Sequence, residues 1–304
     1  MMRTMDDIGP NDTEALALSL EATGDFRVLR RLRDPLSPPV NDGPDVRRGL
    51  FVDVETTGLD PDCDEIIELA MVRFHYATDG RIFGLGEIFE GLRQPSSPIP
   101  AAITALTGIT DEMVVGRSID LSAMQALVAE TDLVIAHNAG FDRRFLERLD
   151  PVFASKPWAC SMSQIDWAGE GFEGVKLAYL AMGAGFFYDR HRAKNDCLAA
   201  IELLSRTLPV SGDLALKRML YRARKHGWRV WAVDTPFAKK DEIKRRLYKW
   251  NGDSRLGPKA WYIDVDDDGR EAELAFLRDE IYRDERHVDC RRVTALERFS
   301  DRLA

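Results

Sequence analysis

Residues 50–60 read LFVDVETTGLD, and this stretch restricts the possible fold more than any other. Phe51, Val52 and Val54 form a compact apolar run of the kind that makes a buried strand, closed by the turn-forming Thr56-Thr57-Gly58. Yet the run carries Asp53 and Glu55. Residues i and i+2 of a strand point to the same face, so both carboxylates emerge together at the strand's C-terminal end. Like charges so close repel, and burying even one is expensive. Two readings are open: solvated acids on an edge strand, or a pair neutralised by hard divalent cations that prefer oxygen ligands, Mg²⁺ or Mn²⁺.

The surrounding pattern places that strand in an α/β fold. GLFVDVE, EIIELAMVRFHYA and RIFGLGEIFE read as three successive strands, and LVIA as a short buried fourth. PAAITALTGI, LSAMQALVAE, GFDRRFLERL, VKLAYLAMG and AKNDCLAAIELLSRTL read as helices, the third stopping before Pro151 and the last at Pro209. Strands first and helices interleaved later predict a mixed sheet flanked by helices. Ahead of it, NDTEALALSLEAT reads as a short helix capped by Asn11 or Asp12, followed by the linker DPLSPPVNDGPD.

Charge divides the chain. Residues 49–208 carry 24 acidic and 13 basic side chains, whereas residues 209–304 carry 18 acidic and 22 basic ones. Such asymmetry predicts two modules with different tasks, an acidic main unit over 49–208 and a small, basic and aromatic-rich α+β domain over 209–304, with an N-terminal extension and linker over 1–48. Absence of a long apolar run argues against a membrane span. The N-terminus lacks the basic-then-apolar pattern of a secretion signal. The four cysteines form no CxxC pair, so they read as reduced thiols in a cytoplasmic protein.

Two further segments add acids. In LVIAHNAGFDRRFL the strand ends at Ala136 and Asp142 falls in the first turn of the next helix, where a carboxylate is favourable in any case. His137 and Asn138 read equally well as loop residues. In HRAKND, five helical residues rotate about 500°, so His191 and Asp196 cannot share a helix face. His191 is therefore expected in the loop before the helix that carries Asp196.

Taken together, FVDVETTGL, AHNAGFDRRFL and HRAKNDC, with IPAAITALTGITDEMV and VKLAYLAMG between them, resemble the DEDDh 3′→5′ exonuclease family, the group with the proofreading epsilon subunit of DNA polymerase III, ribonuclease T and oligoribonuclease. The resemblance covers about residues 49–208. A sister branch has tyrosine four residues before the last acid, and Arg192 stands there. The resemblance implies a ribonuclease H-like sheet and two divalent cations held by Asp53, Glu55, Asp142 and Asp196, with His191 as general base. It implies release of nucleoside 5′-monophosphates from single-stranded 3′ ends, DNA favoured over RNA. Thr56, Thr57 and Gly58 would meet the terminal nucleotide, with Leu59, His137, Asn138 and Phe141 around its base and sugar. A nucleic-acid-binding or polymerase-associated module, in which the chemistry is secondary, is the rival expectation.

The tail lies outside this match. From Ala223 to Ile263 it interleaves bases with Trp228, Trp231, Phe237, Tyr248, Trp250, Trp261 and Tyr262. That mixture suits a nucleic-acid contact, a protein partner, or simply the core of a small domain. In KKDEIKRRLYKW, Ile243, Leu247 and Trp250 fall at i, i+4 and i+7 and predict one buried helical stripe. DVDDDG, from Asp264, mimics half of a calcium-binding loop, but Ala275 occupies the position that needs a bidentate glutamate, so a turn and helix cap are expected.

Overall fold

The computed structural model describes residues 10–33, 45–252 and 257–303. The expected linker falls on 34–44, outside the described residues. Helix α1 (Pro10–Ala22) begins before both expected caps, Asn11 and Asp12. Proline suits that first position, because its missing N–H would have no helical partner anyway. Strand β1 (Arg30–Arg31) then runs beside the catalytic unit, and Arg30 holds α1 through Glu14 and Glu21, each at 2.8 Å.

The principal sheet begins with β2 (Val46–Thr56), β3 (Ile66–Ala77) and β4 (Ile82–Leu92), joined antiparallel. After α2 (Ala101–Thr107), α3 (Asp111–Val114) and α4 (Leu121–Ala129), strand β5 (Leu133–Ala136) joins β2 in parallel. Helix α5 (Ala139–Leu149) follows, and β6 (Trp158–Cys160) closes the order β4-β3-β2-β5-β6. This is the expected mixed sheet flanked by helices. β6 carries no sequence signal, being three residues after a proline. Helix α6 (Leu177–Gly183), strand β7 (Phe186–Phe187), which pairs with β1, and helix α7 (Ala193–Ser205) complete the expected span.

Strand β2 is central, so both its faces are covered. Leu50, Val52 and Val54 pack with Met124 and Leu127 of α4 and Phe145 and Leu146 of α5. Phe51 packs on the other side with Leu177 and Leu180 of α6 and Cys197 and Ile201 of α7. Period-2 alternation therefore aims Phe51, Asp53 and Glu55 at α7. An apolar strand buried on both faces is what lies behind the continuous run in the sequence.

Helix α8 (Ala215–Arg224) extends this layer beyond residue 208: Leu216, Met219 and Leu220 are buried in the same cluster as α7. Beyond it lies the small α+β unit, with β8 (Gly227–Ala232), α9 (Lys240–Arg245), β9 (Lys249–Trp250), β10 (Trp261–Asp266), α10 (Arg270–Phe276) and β11 (Cys290–Val293). Its antiparallel sheet runs β11-β8-β10-β9. The chain then returns to the catalytic unit, where the Trp158 N–H donates to the Ala295 carbonyl at 2.8 Å.

One expectation fails here. The helix predicted over 239–250 stops at Arg245, and Leu247 takes a left-handed φ of 68°. That kink exposes Leu247 and Trp250 and turns Tyr248 inward, where its hydroxyl donates to Glu273 at 2.8 Å. Of the expected stripe only Ile243 is buried. Asp267–Gly269 form a short helical turn leading into α10, as expected of a turn, but no side chain caps α10, whose N-cap position is Gly269.

Candidate active site

Strand β2 delivers Asp53 and Glu55 to one end of the sheet, and α7 brings Asp196 over them. Carboxylate oxygens of these three half-buried residues all lie within 4.8 Å of one another. Asp142 arrives from the opposite layer, in the first turn of α5, and is buried. It accepts a hydrogen bond from the Val54 N–H at 3.2 Å, on the strand segment between Asp53 and Glu55.

Two features went unseen in the sequence. Glu68 of β3 is the cross-strand partner of Glu55, so a fifth carboxylate stands behind the cluster. It is buried, accepts from the Ala193 N–H at 2.9 Å and pairs with Arg192 at 2.8 Å. Only the strand register places it there, because EIIELAMV reads as one more apolar strand. Arg192, which stands where the tyrosine branch would place its tyrosine, thus neutralises the acid beside the site. The second feature is Tyr188, whose hydroxyl donates to Asp196 Oδ1 at 2.8 Å. The only available signal was an aromatic hydroxyl eight residues ahead of an acid.

His191 lies before α7, with a left-handed φ of 61°, and its backbone N–H donates to Asp196 Oδ2 at 2.8 Å. Both Asp196 oxygens are thereby engaged. Cys197, the next residue, donates its thiol to the Phe51 and Ala70 carbonyls at 3.7 Å, pinning α7 to β2 and β3.

The remaining residues expected near a substrate are disposed unequally. Thr57 and Gly58 belong to a turn locked by Asp64, which accepts from the Thr57 hydroxyl at 3.2 Å. A side chain at Gly58 would displace the Asp64 carboxylate that holds the turn. Thr56 is buried and donates to the Gly58 carbonyl, while Leu59 is exposed. Asn138 is exposed in a left-handed conformation, and Phe141 packs on Phe145 with ring centroids 5.0 Å apart. His137 departs from the expectation of a ring facing substrate. Its Nδ1 meets Ser161 Oγ at 2.9 Å and its Nε2 meets the Val175 carbonyl at 2.7 Å. Both nitrogens are occupied within the protein, and burial pushes the imidazole down to about 4.

The electrostatics are those of a site incomplete without cations. Burial, then Asp196, Glu68 and Asp142, push Glu55 up to about 8 against the opposing Arg192. Asp142 is likewise pushed up to about 8, chiefly by burial. Asp53 is held well above the carboxylate range by burial and by Asp142, Asp196, Glu55 and Glu68. Asp196 is raised by burial although Tyr188 and His191 oppose it. A compact set of hard oxygen donors fits divalent metal ions, whose charge would favour the ionised carboxylates that burial and repulsion disfavour.

The exonuclease family profile matches residues 50–204. A DNA polymerase III subunit epsilon-like protein of Rhodobacter capsulatus is 34% identical over 190 residues, 59% of this chain but 26% of that protein. DNA polymerase III subunit epsilon of Treponema pallidum is 29% identical over 162 residues, 50% of this chain and 73% of that protein. A PolC-type DNA polymerase III of Thermotoga petrophila is 36% identical over 131 residues, 42% of this chain and 8% of that one. The chain thus spans only 26% of the Rhodobacter relative and 8% of the Thermotoga one. Among solved structures, exonuclease X with 5′-overhanging duplex DNA is 25% identical with a TM-score of 0.42, over 57% of this chain and 98% of that one. Escherichia coli exonuclease I with an oligonucleotide is 16% identical with a TM-score of 0.47, over 72% of this chain and 63% of that one. With its profile match running from the strand that carries Asp53 and Glu55 through the helix that carries Asp196, this chain belongs to the exonuclease family.

Proposed function

We propose that this protein is a 3′→5′ exonuclease that shortens single-stranded nucleic acid, DNA in preference to RNA, to nucleoside 5′-monophosphates. The observation that carries this reading is the convergence of Asp53, Glu55 and Asp196 within 4.8 Å, with Asp142 anchored on the intervening strand residue. These four carboxylates would hold two Mg²⁺ or Mn²⁺ ions, which supply Lewis-acid polarisation of the scissile phosphate and a more acidic water.

Every other contribution comes from the chain. His191 accepts the proton of the attacking water at its imidazole, the role of a general base. The Tyr188 hydroxyl and the His191 N–H fix the Asp196 carboxylate, one on each oxygen. Arg192 pairs with Glu68 behind the cluster at 2.8 Å, placing a guanidinium beside the acids. The Asp64-locked turn at Thr57 and Gly58 presents backbone to the terminal nucleotide, with Leu59 exposed beside it. Four free cysteines support a reducing, cytoplasmic setting.

A 5′-labelled oligonucleotide ladder with Mn²⁺ tests the reading. The wild type is expected to shorten the strand stepwise from its 3′ end, and His191→Ala to lose on the order of 10²-fold in rate. Matched DNA and RNA strands settle the preference. Intact strands of both kinds, bound normally but uncut, overturn the proposal. The names of the polymerase III relatives support a second reading, a polymerase-associated module. It predicts that Asp53→Ala leaves cellular function nearly intact.

A further inference from the structure

The aromatics of the small unit divide into two populations. Trp231 and Tyr248 are buried in its core, whereas Phe237 is 86% exposed and Trp250 54% exposed. Phe237 adds almost no burial to the fold, so packing does not explain it. These two exposed rings, with the cross-strand partner Trp261, border an open groove of about 500 Å³. Trp250 and Trp261 stand edge to face, with centroids 5.5 Å apart.

Charge at the groove is equally one-sided. Lys240 and Lys244 line it from α9, four residues apart and so on one helix face. Lys240 Nζ lies 5.5 Å from the Phe237 ring centroid and Lys244 Nζ 5.9 Å from that of Trp261. Two neighbouring cations have carboxylate partners, Lys239 with Glu242 and Arg246 with Glu273, each at 2.8 Å, while Arg245 donates to the Asp241 carbonyl. Lys240 and Lys244 have none among the described residues. Two like charges at i and i+4 destabilise a short helix, and a bound polyanion would reverse that sign.

We propose that this groove is a second nucleic-acid site, in which Phe237 and Trp250 stack unpaired bases while Lys240 and Lys244 contact the backbone phosphates. Stacking faces beside basic side chains are the means by which proteins hold single strands irrespective of sequence. The site's use rests on the exonuclease reading: it would grip a strand away from the 3′ end being cut. Its existence does not.

The test uses full-length protein and a fluorescein-labelled oligo-dT of roughly 20 nucleotides, in EDTA so that no cutting occurs. Phe237→Ala with Trp250→Ala is expected to weaken binding at least about fivefold, the low end for one lost stacked base. Lys240→Glu with Lys244→Glu is expected to weaken it comparably and to lower the slope of log affinity against log salt by at least about 1.4. Both lysines are on the surface, so this pair keeps the test decisive if the aromatic pair misfolds. Hydrolysis of thymidine 5′-(p-nitrophenyl phosphate) with Mn²⁺, a substrate too small to span two sites, is expected to be unchanged in both variants. Wild-type affinity and salt slope in both variants overturn the groove, including in favour of a protein occupant. Failure of the wild type to hydrolyse either the ester or an oligonucleotide, with the binding losses intact, instead overturns the exonuclease reading and leaves the groove standing.

Discussion

Asp142 and Arg143 are consecutive residues of α5, both buried, and they meet opposite fates. Arg143 is satisfied entirely by the protein. Its Nε donates to Glu147 at 2.7 Å, its two terminal nitrogens donate to the carbonyls of Arg298 and Leu296 at 2.7 Å, and its guanidinium lies 5.3 Å from the Trp158 ring centroid. Glu147 also accepts from Ser300 at 2.6 Å and from Arg302. Burial pushes Glu147 upward, but Arg302, Ser300 and Arg143 outweigh it and hold the carboxyl below its ordinary range. Asp142 accepts from the Val54 N–H but has no cationic partner among the described residues: burial, with Asp196 adding to it, pushes its carboxyl up to about 8. A buried charge supplied with partners is architecture, here the clasp that returns residues 295–302 to the catalytic unit. A buried carboxylate set against other carboxylates favours a cation instead.

The largest expected effect breaks the acidic side of that comparison. Asp53→Ala is expected to lower hydrolysis of a labelled oligonucleotide by at least about 10³-fold, the equivalent of several kcal/mol of transition-state stabilisation. The same substitution removes repulsion from the cluster, so its melting temperature without metal should equal or exceed that of wild type. A large drop in metal-free stability would mean that Asp53 is structural after all.

Arg143→Ala should show the reverse pattern. Removing one partner of a buried, fully bonded charge costs about 3–5 kcal/mol, and here the Arg298, Leu296 and Ala295 carbonyls and Glu147 lose a donor together. Urea unfolding measures the loss. Activity per folded molecule, at a temperature where the variant remains folded, should fall far less than in Asp53→Ala. Equal losses of stability in the two variants would erase the distinction.

The same two residues show where sequence reading stops. Asp53 and Glu55 were legible because strand alternation alone puts them on one face. The position of His191 before α7 followed from helical rotation. Glu68 was hidden because its neighbours make an ordinary apolar strand and only the pairing register with Glu55 brings it to the site. Nothing in GFDRRFLERL distinguishes Arg143 from Arg144 or Arg148, since its carbonyl partners lie some 150 residues later. Leu247 and Trp250 were misplaced because helical periodicity cannot foresee a left-handed residue that ends the helix.

Tyr188→Phe sharpens the comparison from within the site. It removes one hydroxyl donor and leaves all carboxylates in place. Partners that orient a ligand typically contribute 10–100-fold in metal affinity or activity, so a loss of about tenfold in Mn²⁺ affinity is expected by titration calorimetry. No change in affinity would mean that the His191 N–H alone suffices to hold Asp196.

The smallest effect is a pH dependence whose sign separates the two buried charges. Glu55 and Asp142 have ordinary values of 4.5 and 3.8 and are pushed up to about 8 in the folded protein. Below about 4 both folded and unfolded chains hold these protons, and pH has no effect through them. Between there and about 8 the folded protein keeps protons that the unfolded chain has released, so stability falls as pH rises. In EDTA, the contribution of this pair should therefore lower the melting temperature by a few degrees from pH 5 to pH 8. Saturating Mn²⁺ should flatten or reverse the trend, because a cation takes the place of the protons and binds more tightly as the carboxylates ionise. Glu147 works the other way: a carboxyl held below its ordinary range favours the fold at every pH above that range and loses its contribution only in acid. Subtracting the melting curve of Glu55→Gln from that of wild type isolates the active-site contribution. A difference that grows more stabilising toward pH 8 without metal would show that the cluster is satisfied by the protein alone, and the contrast between Asp142 and Arg143 would collapse.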